Sequence, residues 1–87
     1  MKTFNYKCKV PKFKYYFRHP VEQILFFDIE TTGFSAARTS LYLIGCAARK
    51  ENLLIVDQFF AETPADESDV LHAFLDYLKN FDTIITF

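Results

Sequence analysis

No window of this 87-residue chain approaches the length of a membrane span, so its sequence holds no bilayer-crossing helix. The opening Met1-Lys2-Thr3-Phe4-Asn5-Tyr6 is charged and lacks a continuous apolar stretch, and no secretory signal is expected there. Cysteine is limited to Cys8 and Cys46, isolated and without metal-ligand spacing. That usage fits a reduced, cytoplasmic setting, with Cys46 as a small buried hydrophobe. Glycine is equally scarce, and no Gly-rich loop is present that could cradle a phosphate, which weakens the case for a phosphotransfer enzyme of that kind. There are no internal repeats and no low-complexity tract. A chain this short allows one small domain with limited burial.

Acid is missing altogether from residues 1–20, which carry Lys2, Lys7, Lys9, Lys12, Lys14 and Arg18 for a charge of +6; the remainder stands at −7. Such asymmetry points to an arm that meets a polyanion and a body that binds cations. Residues 1–21 therefore read as a basic, aromatic N-terminal extension, and residues 22–87 as the folded domain. Interleaved cations and rings can neutralise phosphates and stack on bases, as a single-strand-binding arm would. The alternation of Phe13, Tyr15 and Phe17 also fits an extended segment packed on the body, and that reading is favoured. Pro11 and Pro20 limit the segment to edge or irregular structure.

The rest of the chain is organised around Ile24-Leu25-Phe26-Phe27-Asp28-Ile29-Glu30-Thr31-Thr32-Gly33-Phe34. Its apolar start, rich in aromatic and β-branched residues, reads as a buried strand. Side chains alternate across a strand, so Asp28 and Glu30 share a face, with Cα atoms about 6.6 Å apart. Two carboxylates so placed repel one another unless a cation lies between them, and hard divalent ions, Mg²⁺ above all, are the natural occupants. Gly33 lets the backbone take a conformation forbidden to other residues and lets a substrate come close.

Beyond a loop over residues 33–40, the nearly all-apolar run 41–49 predicts a central strand. A polar turn at Lys50-Glu51-Asn52 leads to a third strand over 53–60, pairing back as a hairpin. Thr63 before Pro64 fits a cap and first helical position. Val70, Leu71, Phe74, Leu75, Leu78 and Phe81 then predict an amphipathic helix over about 64–80, with His72 off the apolar stripe. A fourth strand begins at residue 81.

Phe-Asp-Ile-Glu-Thr-Thr-Gly-Phe resembles the first motif of the DEDD superfamily (DnaQ-like) of 3′–5′ exonucleases, which have a ribonuclease-H-like fold. The flanking Arg18-His19-Pro20 and Leu41-Tyr42-Leu43-Ile44-Gly45 are most similar to the YprB-type exonucleases of bacteria. The resemblance implies the N-terminal half of that α/β fold: three antiparallel strands, then a helix and a fourth strand parallel to the first. It also implies phosphodiester hydrolysis with two Mg²⁺ or Mn²⁺ ions. Asp28 would bridge both, and Glu30 would bind the ion carrying the attacking water. Thr31 would hold the terminal nucleotide of a single-stranded 3′ end, Phe34 would pack on its base, and Thr32 and Gly33 complete the substrate turn.

By the same resemblance, the second and third motifs with their further aspartates should follow Phe87. Asp82 is not one of them, because it falls at the opposite end of its strand from Asp28. The expectation is a fragment inactive alone, self-associating through an uncovered sheet face or edge. The alternative is a non-catalytic ribonuclease-H-like module that binds nucleic acid or protein.

Overall fold

A computed structural model describes residues 1–9, 23–33 and 39–86 of the chain. Among the described residues five strands form one sheet: β1 (Lys2–Lys9), β2 (Ile24–Thr31), β3 (Leu41–Lys50), β4 (Leu53–Phe60) and β5 (Thr83–Thr86), with one α-helix, α1 (Glu67–Leu78), before β5. Their order across the sheet is β1-β4-β3-β2-β5. β2, β3 and β4 run antiparallel to their neighbours in turn, while β5 lies parallel to β2. Parallel neighbours cannot be joined by a tight turn; α1 supplies the crossover. The expected α/β architecture and strand directions are therefore those of the structure, and β3, the most apolar strand, is central.

β1 is the addition. Residues 2–9 of the basic extension pair antiparallel with β4 over the full length of both strands and make one edge of the sheet. Every β1 residue is exposed, and lysines are well suited to such an edge because they discourage further pairing. The proposed packing of Phe13, Tyr15 and Phe17, and the two prolines beside them, lie outside the described residues.

The core sits between one face of the sheet and α1. Leu25 from β2, Ile44, Cys46 and Ala48 from β3, and Val70 and Phe74 from α1 are buried together. Fully burying residues such as Leu25, Ile44 and Val70 is worth about 1.5–3 kcal/mol each. Rings extend the core: Phe27 meets Phe74 at 5.0 Å between centroids, and Phe59 meets Tyr77 edge-on at 5.8 Å.

The helix departs from the expected 64–80. Pro64–Asp66 form a single 3₁₀ turn, and the α-helix proper starts at Glu67. Thr63 stands at the cap position, but its hydroxyl makes no capping bond. Asp66 does the fastening instead, accepting from the Glu62 amide at 3.1 Å and pairing with the N-terminal ammonium at 3.1 Å. Of the expected apolar stripe, Leu71 and Leu75 are exposed, and Tyr77 takes their place against the sheet. His72 is exposed, as its position off the stripe implied.

Lys50 pairs with Leu53, so Glu51 and Asn52 alone close the hairpin. Glu51 adopts φ 57°, a left-handed conformation that costs a non-glycine residue about 1–2 kcal/mol. Arg49 Nε donates to the Glu51 carbonyl at 2.9 Å and helps hold that turn in place.

Candidate active site

β2 changes character along its length. Ile24 and Leu25 are fully buried, Phe26 and Phe27 half-buried, and Asp28 to Thr31 exposed. Leu25 and Phe27 face α1, so alternation puts Phe26, Asp28 and Glu30 on the opposite face of the sheet. The two carboxylates thus share a face, as the sequence requires, just beyond the stretch paired with β5, which ends at Phe27–Thr86.

Asp28 Oδ1 accepts from the Ile29 amide at 2.9 Å, which fixes the carboxylate against its own strand. Among the described residues no lysine or arginine pairs with Asp28 or Glu30. Opposite Asp28 on β3 is Gly45, and a β-carbon built there meets nothing within 4 Å. A cavity of about 200 Å³ opens beside the acid, lined by Phe26, Asp28, Gly45, Ala47 and Val56 among others.

A bulge follows the pair at once. Glu30 is opposite Leu43 but Thr31 is opposite Leu41, so β3 carries an extra residue there. Bulges of this kind bend a strand and re-aim its side chains, often beside active sites. The Thr-Thr-Gly turn is locked by its own hydroxyls. Thr31 Oγ1 donates to the Gly33 carbonyl at 2.7 Å, and Thr32 Oγ1 accepts from the Ser40 amide at 3.0 Å. The Thr32 amide in turn donates to the Ser40 carbonyl at 3.0 Å.

Gly33 needs a correction. No glycine in the described residues has positive φ, so the position does not use glycine's conformational freedom. It uses the missing side chain: a β-carbon would come within 3.1 Å of Thr39 Cγ2, tighter than ordinary packing allows. Phe34 lies outside the described residues.

Asp82 is at the far end, as expected. Its amide donates to the Gln23 carbonyl at 3.1 Å, and β5 then runs alongside β2 from Thr83 opposite Ile24. Asp28 is thus five residues further along β2 than the strand position facing Asp82's end, or about 16 Å. No group of three or more metal-binding side chains occurs among the described residues.

One polar cluster went unread in the sequence. Asp57, on β4 opposite Cys46, accepts from Asn5 Nδ2 of β1 at 2.6 Å and from the Tyr77 hydroxyl of α1 at 2.9 Å. Burial, with Asp57 nearby, pushes the Cys46 thiol up to about 12. Burial and the bond to Asp57 also raise the Tyr77 phenol. A lone acid in an apolar strand gives no motif. The only signal was a charged residue where alternation demanded an inward side chain.

β2 is an interior strand of a mixed α/β sheet, and among the described residues its paired carboxylates Asp28 and Glu30 have no cation partner. A family model described as RNase_H superfamily matches residues 25–87, and the chain belongs to that superfamily. No curated protein and no solved structure matches it. Among the described residues no helix is long and apolar enough to cross a membrane.

Proposed function

We propose that this domain serves a metal-dependent 3′–5′ exonuclease acting on single-stranded nucleic acid in the cytoplasm. The observation that carries the reading is the Asp28–Glu30 pair: two carboxylates on one strand face, exposed, with no cation partner among the described residues, inside an RNase H superfamily sheet. The donor set fits hard divalent ions, since it is all oxygen and carries two negative charges. Asp28 and Glu30 would hold Mg²⁺ or Mn²⁺, which when bound supplies activation of water and relief of charge on the leaving oxygen.

The chain's own residues orient and admit. The Ile29 amide holds one Asp28 oxygen and leaves the other for a ligand. Gly45 keeps the neighbouring strand position clear of side-chain atoms. The Thr31 and Thr32 hydroxyls, by closing their own turn, fix the backbone that follows the acids; their oxygens retain lone pairs for a substrate hydroxyl. Binding of the terminal nucleotide by Thr31, Thr32, Gly33 and Phe34 belongs to this proposal.

Two carboxylates are half of what a pair of ions requires, so the reading places the remaining acids after Phe87 and expects the chain alone to be inactive. The test is digestion of labelled single-stranded DNA and RNA with Mg²⁺ or Mn²⁺, by this chain and by the reading frame that contains it. Turnover by the longer protein, abolished in Asp28→Asn with folding intact, is the expected result. Robust turnover by the 87-residue chain alone would overturn the need for further acids. A second reading is a non-catalytic nucleic-acid- or protein-binding module. Loss of turnover in Asp28→Asn separates the two. Self-association through the sheet face opposite α1 or through an edge strand is part of the proposal, and sedimentation of the chain at several concentrations tests it.

A further inference from the structure

Three exposed lysines gather at one end of the sheet, on the face that carries α1. Asn5 of β1 reaches Asp57, which Tyr77 of α1 also bonds, so alternation puts Lys7 and Lys9 on the α1 side as well. Lys7 is opposite Ile55, itself opposite Ala48; Lys9 is opposite Leu53, itself opposite Lys50. Lys9 and Lys50 therefore stand on either side of Leu53, two strand spacings or about 10 Å apart. Beside them a cavity of about 380 Å³ opens between the sheet and the C-terminal end of α1. Ala48, Ile55, Tyr77 and Phe81 give it apolar walls, and the exposed Lys50 and Asn80 also line it. The cavity is on the opposite face from Asp28. Lys50 is also five residues further along β3 than Gly45, the partner of Asp28, or about 16 Å.

None of the three lysines has an ion-pair partner among the described residues. Nearby acids do not cancel them. Asp57 already holds Asn5 and Tyr77, Asp82 takes the Thr83 hydroxyl at 3.0 Å, and Asp76 is paired with Lys79 at 3.4 Å. With Arg49 counted beside the lysines and Glu51 beside Asp57 and Asp82, the balance at this end is still positive. Edge protection explains lysines on β1, but not why two of them share a face with Lys50 around one cavity. The helix side carries the opposite mark. Asn80 Nδ2 donates to the Tyr77 carbonyl at 3.1 Å, which leaves Oδ1 an acceptor with no donor among the described residues, at the negative C-terminal pole of α1. We propose that this cavity binds a nucleoside monophosphate. The base lies against Tyr77, Phe81 and the aliphatic floor with an N–H on Asn80 Oδ1, and Lys7, Lys9 and Lys50 hold the phosphate. The volume is in the range of small-ligand sites, which are mostly apolar with a few placed polar groups. Inorganic phosphate would leave the apolar walls unused, and an uncharged ring would leave the lysines unused. The site stands apart from the acids of β2 and does not depend on the nuclease reading.

Amide NMR of the full 87-residue chain in EDTA, titrated with AMP, adenosine and inorganic phosphate, decides the matter without metal or hydrolysis. AMP should give saturable shifts at Lys50, Ile55 and Asn80 and leave Asp28 and Glu30 unmoved, with adenosine and phosphate each binding more weakly. K50Q should weaken AMP about 2- to 5-fold, the effect of one exposed ion pair, and the triple K7Q/K9Q/K50Q variant roughly 10-fold or more. Purine riboside monophosphate, which lacks the exocyclic amine, should bind less tightly than AMP, and N80L should remove that difference. The lysines are exposed, so the lysine variants should melt like the wild-type chain and keep the test open even where N80L loosens the helix end. Failure of AMP to saturate, or shifts confined to Asp28 and its neighbours, overturns the site. Phosphate binding as tightly as AMP, or lysine variants that bind AMP unchanged, overturns it equally, since only a diffuse cationic surface would then remain. Turnover by the longer protein and its loss in Asp28→Asn are read separately, so the nuclease assignment and this site fail independently.

Discussion

Asp28 and Asp57 are both carboxylates in strands of one sheet, and the structure treats them in opposite ways. Asp57 faces α1, half-buried, and each of its oxygens takes a side-chain donor, Asn5 on one and Tyr77 on the other. Those two bonds tie β1, β4 and α1 together. Asp28 faces away from α1, is exposed, and among the described residues holds only the amide of its own neighbour. A carboxylate kept for stability gathers donors, because a buried charge left unmet is costly. One kept for a ligand is left short of them.

Removing Asp57 should have the largest effect on stability. Asp57→Ala leaves the Tyr77 hydroxyl and the Asn5 amide without their acceptor, and loss of hydrogen bonds to a charged group costs about 1.5–3 kcal/mol. Urea unfolding should show that loss, and a double-mutant cycle with Tyr77→Phe should show strong coupling. A cost under about 0.5 kcal/mol, the range of unimportant surface changes, would erase the contrast with Asp28.

The cluster around Asp57 also sets an alkaline limit. Cys46 in the folded protein ionises near 12, against an ordinary 9.0 for the free thiol. Between those values the unfolded chain has lost its thiol proton and the folded chain has kept it, so stability falls as pH rises through that window. Below about 9 the contribution is complete. The Tyr77 phenol is raised from 10.0 and adds to the same trend. Cys46→Ala should lessen the decline between pH 9 and 12 in thermal melts, at some cost in packing at neutral pH. Cys8, exposed on β1, should react with a thiol reagent at pH 8 while Cys46 does not.

The contrast also marks how far the sequence could be read. Strand directions and the central place of β3 follow from apolar runs and one amphipathic segment, and the acid pair follows from period-two alternation alone. β1 was hidden because the alternation that favours a packed extended segment falls on Phe13, Tyr15 and Phe17, while the lysines at 2, 7 and 9 suit a polyanion-binding arm as well as an edge strand's own protection. The Asp57 cluster was hidden because Asn5 stands 52 residues away from it in the chain, and such pairings appear only once the sheet has formed. Leu71 and Leu75 misled in the other direction: helical spacing marks an apolar face but not how much of it a short sheet can cover.

The smallest effect on stability should come from Asp28 itself, and its smallness is informative. Glu30 is on the same face about 6.6 Å away, so removing one charge relieves repulsion, and Asp28→Asn should shift stability by no more than about 0.5 kcal/mol in either direction. Metal changes the picture. Two exposed carboxylates fall at or beyond the weak end of the oxygen-ligand Ca²⁺ modules, a Kd on the order of 1 mM. By linkage, 10 mM Mg²⁺ or Mn²⁺ then adds about 1.4 kcal/mol to the wild-type chain, visible as a rise in Tm. The Asp28→Asn and Glu30→Gln chains should show little of that rise, while Asp57→Ala, less stable throughout, should keep it whole. If all four chains respond alike, the ion is screening surface charge in general and the acid pair of β2 has no special claim on it.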